Sequence, residues 1–330
     1  MKALVTGANG FTGSHLVKLL GARGCEVVGL VRSTSDLTRL ADLEVQLVRG
    51  DITDLPVLTQ AMADVDVVFH IAACVDLGIV DRARMERVNV EGTRTVLAAI
   101  KAQPQPPKLI YCSTIGIYGD TAGQVIDETY ERTQQGFSSA YDETKYRAQA
   151  LVNQHVADGF SAVSLMPGGI FGADDPHFGP VIRLFLKGRL PLWPGCDRIT
   201  GIVHVDDLVQ AMVLAAEKAD SGEHFIISAG ELSIGEMFQI LGRAAGVEPP
   251  ADAPRPLVRA VGAILDPVGR LLSWNAPLNN ELVHYIYDRC VRISGEKAMR
   301  NLGWQPRSVP EILTGIAEEL QPASAGPSPS

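Results

Sequence analysis

The segment YDETK, residues 141–145, sets Tyr141 four residues ahead of Lys145, a spacing at which two side chains share one face of a helix. A phenol and an ammonium so placed can do proton chemistry. The positive charge stabilises the phenolate and lowers the phenol from its ordinary pKa of about 10, so the tyrosine can trade a proton near neutral pH. YCSTIGIYG, residues 111–119, adds the hydroxyls of Ser113 and Thr114 at the end of an apolar run. Either could hold an oxygen in place, or simply satisfy backbone groups where a strand ends. A lone Tyr-x-x-x-Lys also arises by chance, so its meaning depends on what the rest of the chain supplies.

The chain opens with a β-branched run and passes into TGANGFTG, with Gly7, Gly10 and Gly13 at three-residue spacing. Such glycines allow a tight turn and close backbone approach to a pyrophosphate, and the helix that follows presents unpaired N–H groups to it. Strand before and helix after predict dinucleotide binding, with Asn9, Phe11 and Thr12 completing the loop. An acid at the end of the second strand would bond an unphosphorylated ribose. GLVRSTSD instead carries Val31 and Arg32 there. Arg32 can make charge-assisted bonds to a 2′-phosphate, with Arg39 as a second cation, so NADP(H) is expected ahead of NAD(H). Asp51 and Ile52 of GDITD are placed to bracket the adenine. Ala72 and Ala73 of HIAAC would let the backbone approach phosphate and ribose.

These residues need a scaffold, and the hydrophobic pattern describes one. KALVT, EVVGLV, EVQLV, DVVFH, KLIYCS and AVSLM read as strands, alternating with helical segments such as FTGSHLVKLLGARG and MERVNVEGTRTVLAAIKA. Near-continuous apolar strands alternating with helices predict an α/β, doubly wound parallel sheet of Rossmann type. Beyond residue 168 the rhythm loosens: IVHVDDLVQAMVLAAEK reads as a strand end entering a helix, HFIIS as a strand, and helices are expected at about 233–245, 257–272 and 308–320. The expected division is a dinucleotide-binding domain over 1–168, joined by about 202–218, a smaller mixed substrate lobe over 169–320, and a disordered Pro- and Ser-rich tail at 321–330.

TGANGFTG, GDITD, HIAA, VNVEGT, YCSTIGIYG, YDETK, MPGGIFG and HVDDL stand in the order and at about the spacing of the extended short-chain dehydrogenase/reductase superfamily, which the chain resembles over roughly residues 2–320. The resemblance implies that Tyr141 and Lys145 are the catalytic pair and that Thr114, with Ser113 as the alternative, holds the substrate oxygen. Lys145 would also bond the nicotinamide ribose, and Pro167 would lie against the cofactor. Asn89 matches a position that supports the lysine, although a helix-bend role would look the same. A homodimer through the helices of 81–103 and 138–158 is also implied.

Within the superfamily, nucleotide-sugar epimerases and dehydratases commonly carry an arginine before the HVxDL segment that clamps a diphosphate. Thr200 and Gly201 stand there instead, with Arg198 two residues upstream. The apolar segments 181–193 and 257–272 could wall a hydrophobic pocket or equally serve dimer or lobe packing, and with LVRSTSDL and HIAACVDLG they resemble the dihydroflavonol reductase and 3β-hydroxysteroid dehydrogenase branch. The expected activity is therefore alcohol and ketone interconversion on an apolar, cyclic small molecule. Arg183, Arg189 or Arg198 would restore a clamp if the fold turned one inward, which keeps a nucleotide-sugar epimerase as the alternative. A non-catalytic NADP-sensing regulator is disfavoured by the intact Thr114, Tyr141 and Lys145 set.

The 29 basic and 38 acidic residues give a net charge of −9 with no dense basic run, so no nucleic-acid partner is expected. Five scattered cysteines without Cys-x-x-Cys spacing read as reduced thiols. His70 and His204 have no partners at metal-site spacing, and structural roles are expected, with Asp206 and Asp207 capping the following helix. Phe178 and Trp193 could line the pocket or fill the interface between lobes. No apolar stretch reaches the roughly 20 residues needed to span a bilayer, although the amphipathic 257–272 segment could rest on a membrane surface. MKALVTGANG lacks a signal-peptide-length apolar run. A cytoplasmic protein is expected.

Overall fold

The computed structural model describes residues 1–76, 81–272, 274, 276 and 278–321. Its strands are β1 (Lys2–Thr6), β2 (Glu26–Val31), β3 (Gln46–Arg49), β4 (Val67–His70), β5 (Lys108–Cys112), β6 (Val125–Ile126), β7 (Ala162–Pro167), β8 (Gly169–Phe171), β9 (Leu192–Trp193), β10 (Ile199–His204), β11 (His224–Ile227), β12 (Gly230–Ser233), β13 (Ala251–Asp252) and β14 (Arg292–Ile293). Its helices are α1 (Phe11–Ala22), α2 (Leu55–Ala61), α3 (Arg82–Glu86), α4 (Gly92–Lys101), α5 (Ala140–Ala157), α6 (Gly179–Leu186), α7 (Val205–Lys218), α8 (Ile234–Ala245), α9 (Arg255–Leu272), α10 (Asn280–Tyr287), α11 (Glu296–Leu302) and α12 (Val309–Leu320).

Seven strands form one parallel sheet in the order β11-β7-β5-β4-β1-β2-β3. The alternation of side chains along each strand divides the core into two layers. Ala3 and Val5 face one layer with Leu16, Val17 and Leu20 of α1 and Leu208 and Met212 of α7. Leu4 faces the other, with Leu58 of α2, Val96 and Ile100 of α4, and Val152 of α5. Helices therefore cover both faces, as the near-continuous apolar strands require. From β1 the chain winds outward through β2 and β3, then crosses back to β4 and winds the other way. The ends of β1 and β4 consequently part, and this is where a doubly wound sheet leaves a cleft.

The sheet also recruits β11 from the second half of the chain, paired parallel to β7. The rest of that half is built on a three-stranded sheet, β12-β10-β8, and a separate core in which Phe185, Phe238 and Leu241 pack against Ile312 and Ile316 of α12. Thr200 and Gly201 lie within β10, opposite Leu232 and Glu231 of β12.

The apolar segment 181–193 does not line the cleft: Ile182 and Phe185 are inside this second core, while Leu184 and Leu192 are exposed. In α9 the pattern is inverted. Val258, Gly262, Asp266 and Gly269 face inward and Leu257, Ile264, Val268, Leu271 and Leu272 outward, so this helix also contributes nothing to the cleft wall. The reason is size. Gly262 lies against Val283 of α10, where an added Cβ would come within 2.7 Å, so the small residues make the contact. Among the described residues no helix is long and apolar enough to cross a membrane. The tail expected at 321–330 lies, apart from Gln321, outside the described residues.

Candidate active site

The cleft at the carboxyl ends of the strands encloses about 1040 Å³. Gly7, Asn9, Gly10, Phe11, Thr12 and Gly13 form its floor on the β1 side. Gly7 has φ +72° and lies so close to the next strand that a Cβ would meet Ala72 Cα at 3.0 Å; at Gly13 a Cβ would stand 2.0 Å from the Gly7 carbonyl oxygen. Only glycine fits either position without a shift. Gly10 ends the turn as N-cap of α1 and gives no side-chain bond to it, so the first-turn N–H groups remain available to an anion. The cradle fits a dinucleotide pyrophosphate.

Ala72 and Ala73 continue the floor, held by a buried network. Thr6 Oγ1 accepts from the Ile71 and Ala72 amides at 3.1 and 3.2 Å, and His70 bridges Thr6 and Thr93 at 2.8 and 2.9 Å. Burial lowers His70 to about 3, so its ring is neutral and its role is to position the turn.

Arg32, Asp51 and Ile52 line the far end of the cleft. Asp51 accepts from Thr53 Oγ1 at 2.7 Å, and Arg87 lies 3.7 Å away. The Thr53 bond holds the Asp51 carboxyl below its usual range against the effect of burial, with Arg87 and Arg32 adding to the shift. Arg87 directly precedes VNVEGT, and nothing in that motif marks the residue before it as facing the cleft. Arg39, read as a second phosphate cation, is occupied elsewhere. It pairs with the Asp174 carboxylate, donates to the Asp174 carbonyl at 2.6 Å and stacks over Phe11 at 5.7 Å.

The same acid meets His15 of α1 at 3.2 Å, and His15 also bonds Asp206 of α7 at 2.6 Å. His204 Nδ1, not Asp206 or Asp207, accepts the capping bond at the start of α7, from the Asp206 amide. Asp207 instead pairs with Arg307 at 3.1 Å. Both acids lie in the first helical turn, where the dipole favours them.

Tyr141 and Thr114 stand together on the cleft wall, with Ile115 and Pro167 beside them. Ser139 caps α5 through the Asp142 amide at 3.0 Å and so fixes the helix start that carries Tyr141. Thr114 Oγ1 accepts from the Gly116 amide at 3.1 Å, and its side chain is hydrogen-bonded to Tyr141. Ser113 is placed behind the wall: it is 3 % exposed, and its hydroxyl has no partner among the described residues.

Lys145 is also behind the wall, 3 % exposed, with Nζ donating 2.7 Å to the Cys112 carbonyl and lying 4.3 Å from the Tyr111 ring centre. Burial lowers it to about 8. The expected lowering of the Tyr141 pKa is not what this arrangement produces. Burial holds the phenol well above its ordinary value, with the neighbouring Cys112 and Asp142 adding to the rise and the Thr114 side chain opposing it.

Asn89 lies in a π-helical segment, Arg87–Glu91, between α3 and α4. Its side chain bonds the Cys74 amide and carbonyl at 2.7 and 3.0 Å and Thr144 at 3.0 Å. It therefore ties the loop after β4 to the helix of the Tyr-Lys pair. Phe178 lines the cleft, whereas Trp193 packs edge-on against Phe178 and Phe238. Three further lining residues, Arg198, Tyr285 and Arg289, face the same space. The last two gave no signal in the sequence.

Residues 3–230 match the family described as NAD dependent epimerase/dehydratase family. The chain belongs to that family. It is an NAD(P)-dependent oxidoreductase of the extended short-chain dehydrogenase/reductase type. It is 30% identical to a 4-hydroxy-2-methyl-3-oxo-4-farnesyl-3,4-dihydroquinoline-1-oxide ketoreductase of Stigmatella aurantiaca, over 100% of this chain and 99% of that protein. It is 32% identical to a 3 beta-hydroxysteroid dehydrogenase/Delta 5-->4-isomerase of Mycobacterium tuberculosis, over 92% and 86%. The crystal structure of gox2253 superposes with a TM-score of 0.81 at 30% identity, covering 94% of this epimerase/dehydratase-family chain and 95% of the other.

Proposed function

We propose that this protein interconverts a ketone and an alcohol on an apolar, cyclic substrate, with NADP(H) as cofactor and Thr114, Tyr141 and Lys145 as the working side chains. The observation that carries the reading is the placement of Tyr141 and Thr114 side by side on the wall of a cleft floored by the glycine cradle. The Tyr141 phenol, protonated in this cleft, can give its proton to a carbonyl oxygen because the alkoxide that forms there is the stronger base. Thr114, which accepts from Gly116 and bonds Tyr141, would share its O–H with the same oxygen. The bound nicotinamide would supply the hydride. Lys145 would turn part of its donor capacity from Cys112 to the ribose, and its charge would ease the departure of the Tyr141 proton.

Support for an apolar substrate comes from the cleft itself. Ile115, Ile170, Phe171, Phe178, Ile199 and Val291 line it, and the names of the relatives describe ring-bearing ketones and steroids. Support for NADP(H) comes from Arg32, exposed at the end of β2, with Arg87 compensating the nearby Asp51. The same proposal assigns the dinucleotide to residues 1–168 with α7 and the substrate to the rest, and joins two copies through the α4 and α5 faces.

The test is a panel of cyclic steroid, flavanonol and terpenoid ketones beside UDP-, GDP- and dTDP-sugars, followed by nicotinamide absorbance and product analysis. Net oxidation of NADPH with an alcohol product is expected. Conversion of a nucleotide sugar with no net absorbance change would replace this reading with an epimerase.

A further inference from the structure

Across the cleft, two guanidinium groups enclose one aromatic ring. Arg198, just before β10, and Arg289, between α10 and β14, lie with Cζ 4.5 and 4.4 Å from the centre of the Tyr285 ring. All three residues line the cleft that holds Tyr141 and Thr114. Arg289 is 6 % exposed, and the acid nearest it is Asp142, the residue after Tyr141, at 3.4 Å. That contact is long for a charge-assisted bond. Arg289 Nε and Asp142 Oδ2 have no hydrogen-bond partner among the described residues. A guanidinium carries five donors; Arg289 also bonds the Tyr285 side chain, and its Nε is the donor left without a partner among the described residues.

The two cations are not equally matched. Arg289 feels the charges of Asp142 and Asp120, whereas Arg198 makes no salt bridge among the described residues and faces a stretch of the cleft lined also by Ile115, Ile199, Thr200 and Val291. The other cation acting on Asp142, Arg132, is engaged away from the cleft. It donates to the carbonyls of Gln134 and Gly136 and lies 4.4 Å from the Phe137 ring centre.

We propose that Arg198 and Arg289, held on Tyr285, form an anion subsite of the substrate pocket, and that the substrate is an apolar ketone or alcohol carrying one carboxylate. The proposal rests on the ketone and alcohol reading above and narrows its substrate class. One carboxylate matches the one cation, Arg198, that has no salt bridge among the described residues. A diphosphate would bring more negative charge than the subsite can neutralise, at a desolvation cost. Tyr285 adds a flat apolar and polar-tipped surface between the two cations, so the carboxylate and the adjoining hydrocarbon are received by one unit.

Calorimetric titration of the full-length protein saturated with NADP+ tests this without requiring turnover. The probes are cyclohexanecarboxylate and decanoate, their methyl esters, UDP and inorganic diphosphate. The acids are expected to bind roughly tenfold or more tightly than their esters, with a preference that weakens as salt rises. Arg198→Gln should abolish that preference while leaving ester binding in place, and Arg198→Lys should restore part of it. Arg289→Lys, which keeps the charge beside Asp142, should weaken the acids more than the esters. A residue that only braces the fold would weaken acid and ester alike. Equal binding of acid and ester by the unsubstituted protein, or parallel losses in Arg198→Gln, would overturn the subsite, as would tighter binding of UDP or diphosphate that Arg198→Gln removes. Reduction of uncharged ketones with no acid preference would leave the reaction standing and remove the subsite. A clear acid preference with no ketone reduced would do the reverse.

Discussion

At the end proposed for the cofactor the cleft presents mostly backbone: Gly7, Gly10 and Gly13, the open first turn of α1 and the Ala72 region, all within two adjoining strands and their turns. At the end proposed for the substrate it presents side chains brought from several separate segments, Thr114, Tyr141, Arg198, Tyr285 and Arg289. The two ends fail differently. A backbone site is fixed by residues that must lack a side chain, so any addition breaks it. A side-chain site is fixed by packing behind it, so single changes should alter rate or selectivity while the fold persists.

Short of removing the Tyr141 hydroxyl itself, the largest expected effect falls on the side-chain end. Thr114→Ala removes one donor to the developing alkoxide and should slow the chemical step by roughly 10²- to 10³-fold, with NADPH affinity unchanged. Pre-steady-state kinetics and a cofactor titration separate the two, and a loss of affinity equal to the loss of rate would mean that Thr114 belongs to the cofactor site.

Next comes Gly13→Ala, whose Cβ would stand 2.0 Å from the Gly7 carbonyl oxygen. A strain of about 3 kcal/mol or more predicts a roughly hundredfold loss of affinity for NADPH and NADH alike, or a chain that does not fold. Circular dichroism distinguishes these outcomes, and normal binding of either cofactor would show that the loop is not the cradle.

Arg32→Ala should act on one cofactor only, weakening NADPH by roughly tenfold through a lost charge-assisted bond and leaving NADH nearly unchanged. Equal effects on both would sharpen the comparison in another way, by showing that this end too is read by backbone.

The smallest effect concerns the seam between the two ends. Burial would lower the pKa of His15, but its bonds to Asp206 and Asp174 and their charges outweigh burial and raise it above 6.5. A histidine raised on folding stabilises the protein fully below its unfolded pKa, and the contribution is lost as pH rises through the folded value. The melting temperature of His15→Asn should therefore fall below that of the parent by roughly 1–2 °C at pH 6 and converge with it at pH 9. A gap that widened with pH would contradict the assignment.

The same contrast explains how much the sequence could show. The sheet and cradle were legible because Gly7 and Gly13 are demanded by local geometry, and because apolar runs such as VVFH can be buried only between two helical layers. Thr114 was separable from Ser113 only by a motif count, and the structure turns one hydroxyl to the cleft and the other behind it. Arg289 was illegible. It stands 147 residues from Asp142 in sequence, and nothing in YDRCVRIS shows that the chain returns there. The 181–193 segment was ambiguous for a related reason: a run of apolar residues reports burial, and of the two readings, pocket wall or packing, the fold takes packing in the core of the second half. Arg39 likewise reads as a free cation until the fold brings Asp174 to it.

The central claim is that Tyr141 delivers the proton in a net reduction. The most direct test is a single turnover of NADPH-loaded protein with a ketone identified from the panel, comparing the parent chain with Tyr141→Phe at matched cofactor occupancy. The account predicts stoichiometric loss of reduced-nicotinamide absorbance with formation of the alcohol in the parent, a rate lower by roughly 10²- to 10⁴-fold in Tyr141→Phe, and the same NADPH dissociation constant for both. A Tyr141→Phe protein that reduces the ketone at the parental rate would contradict it.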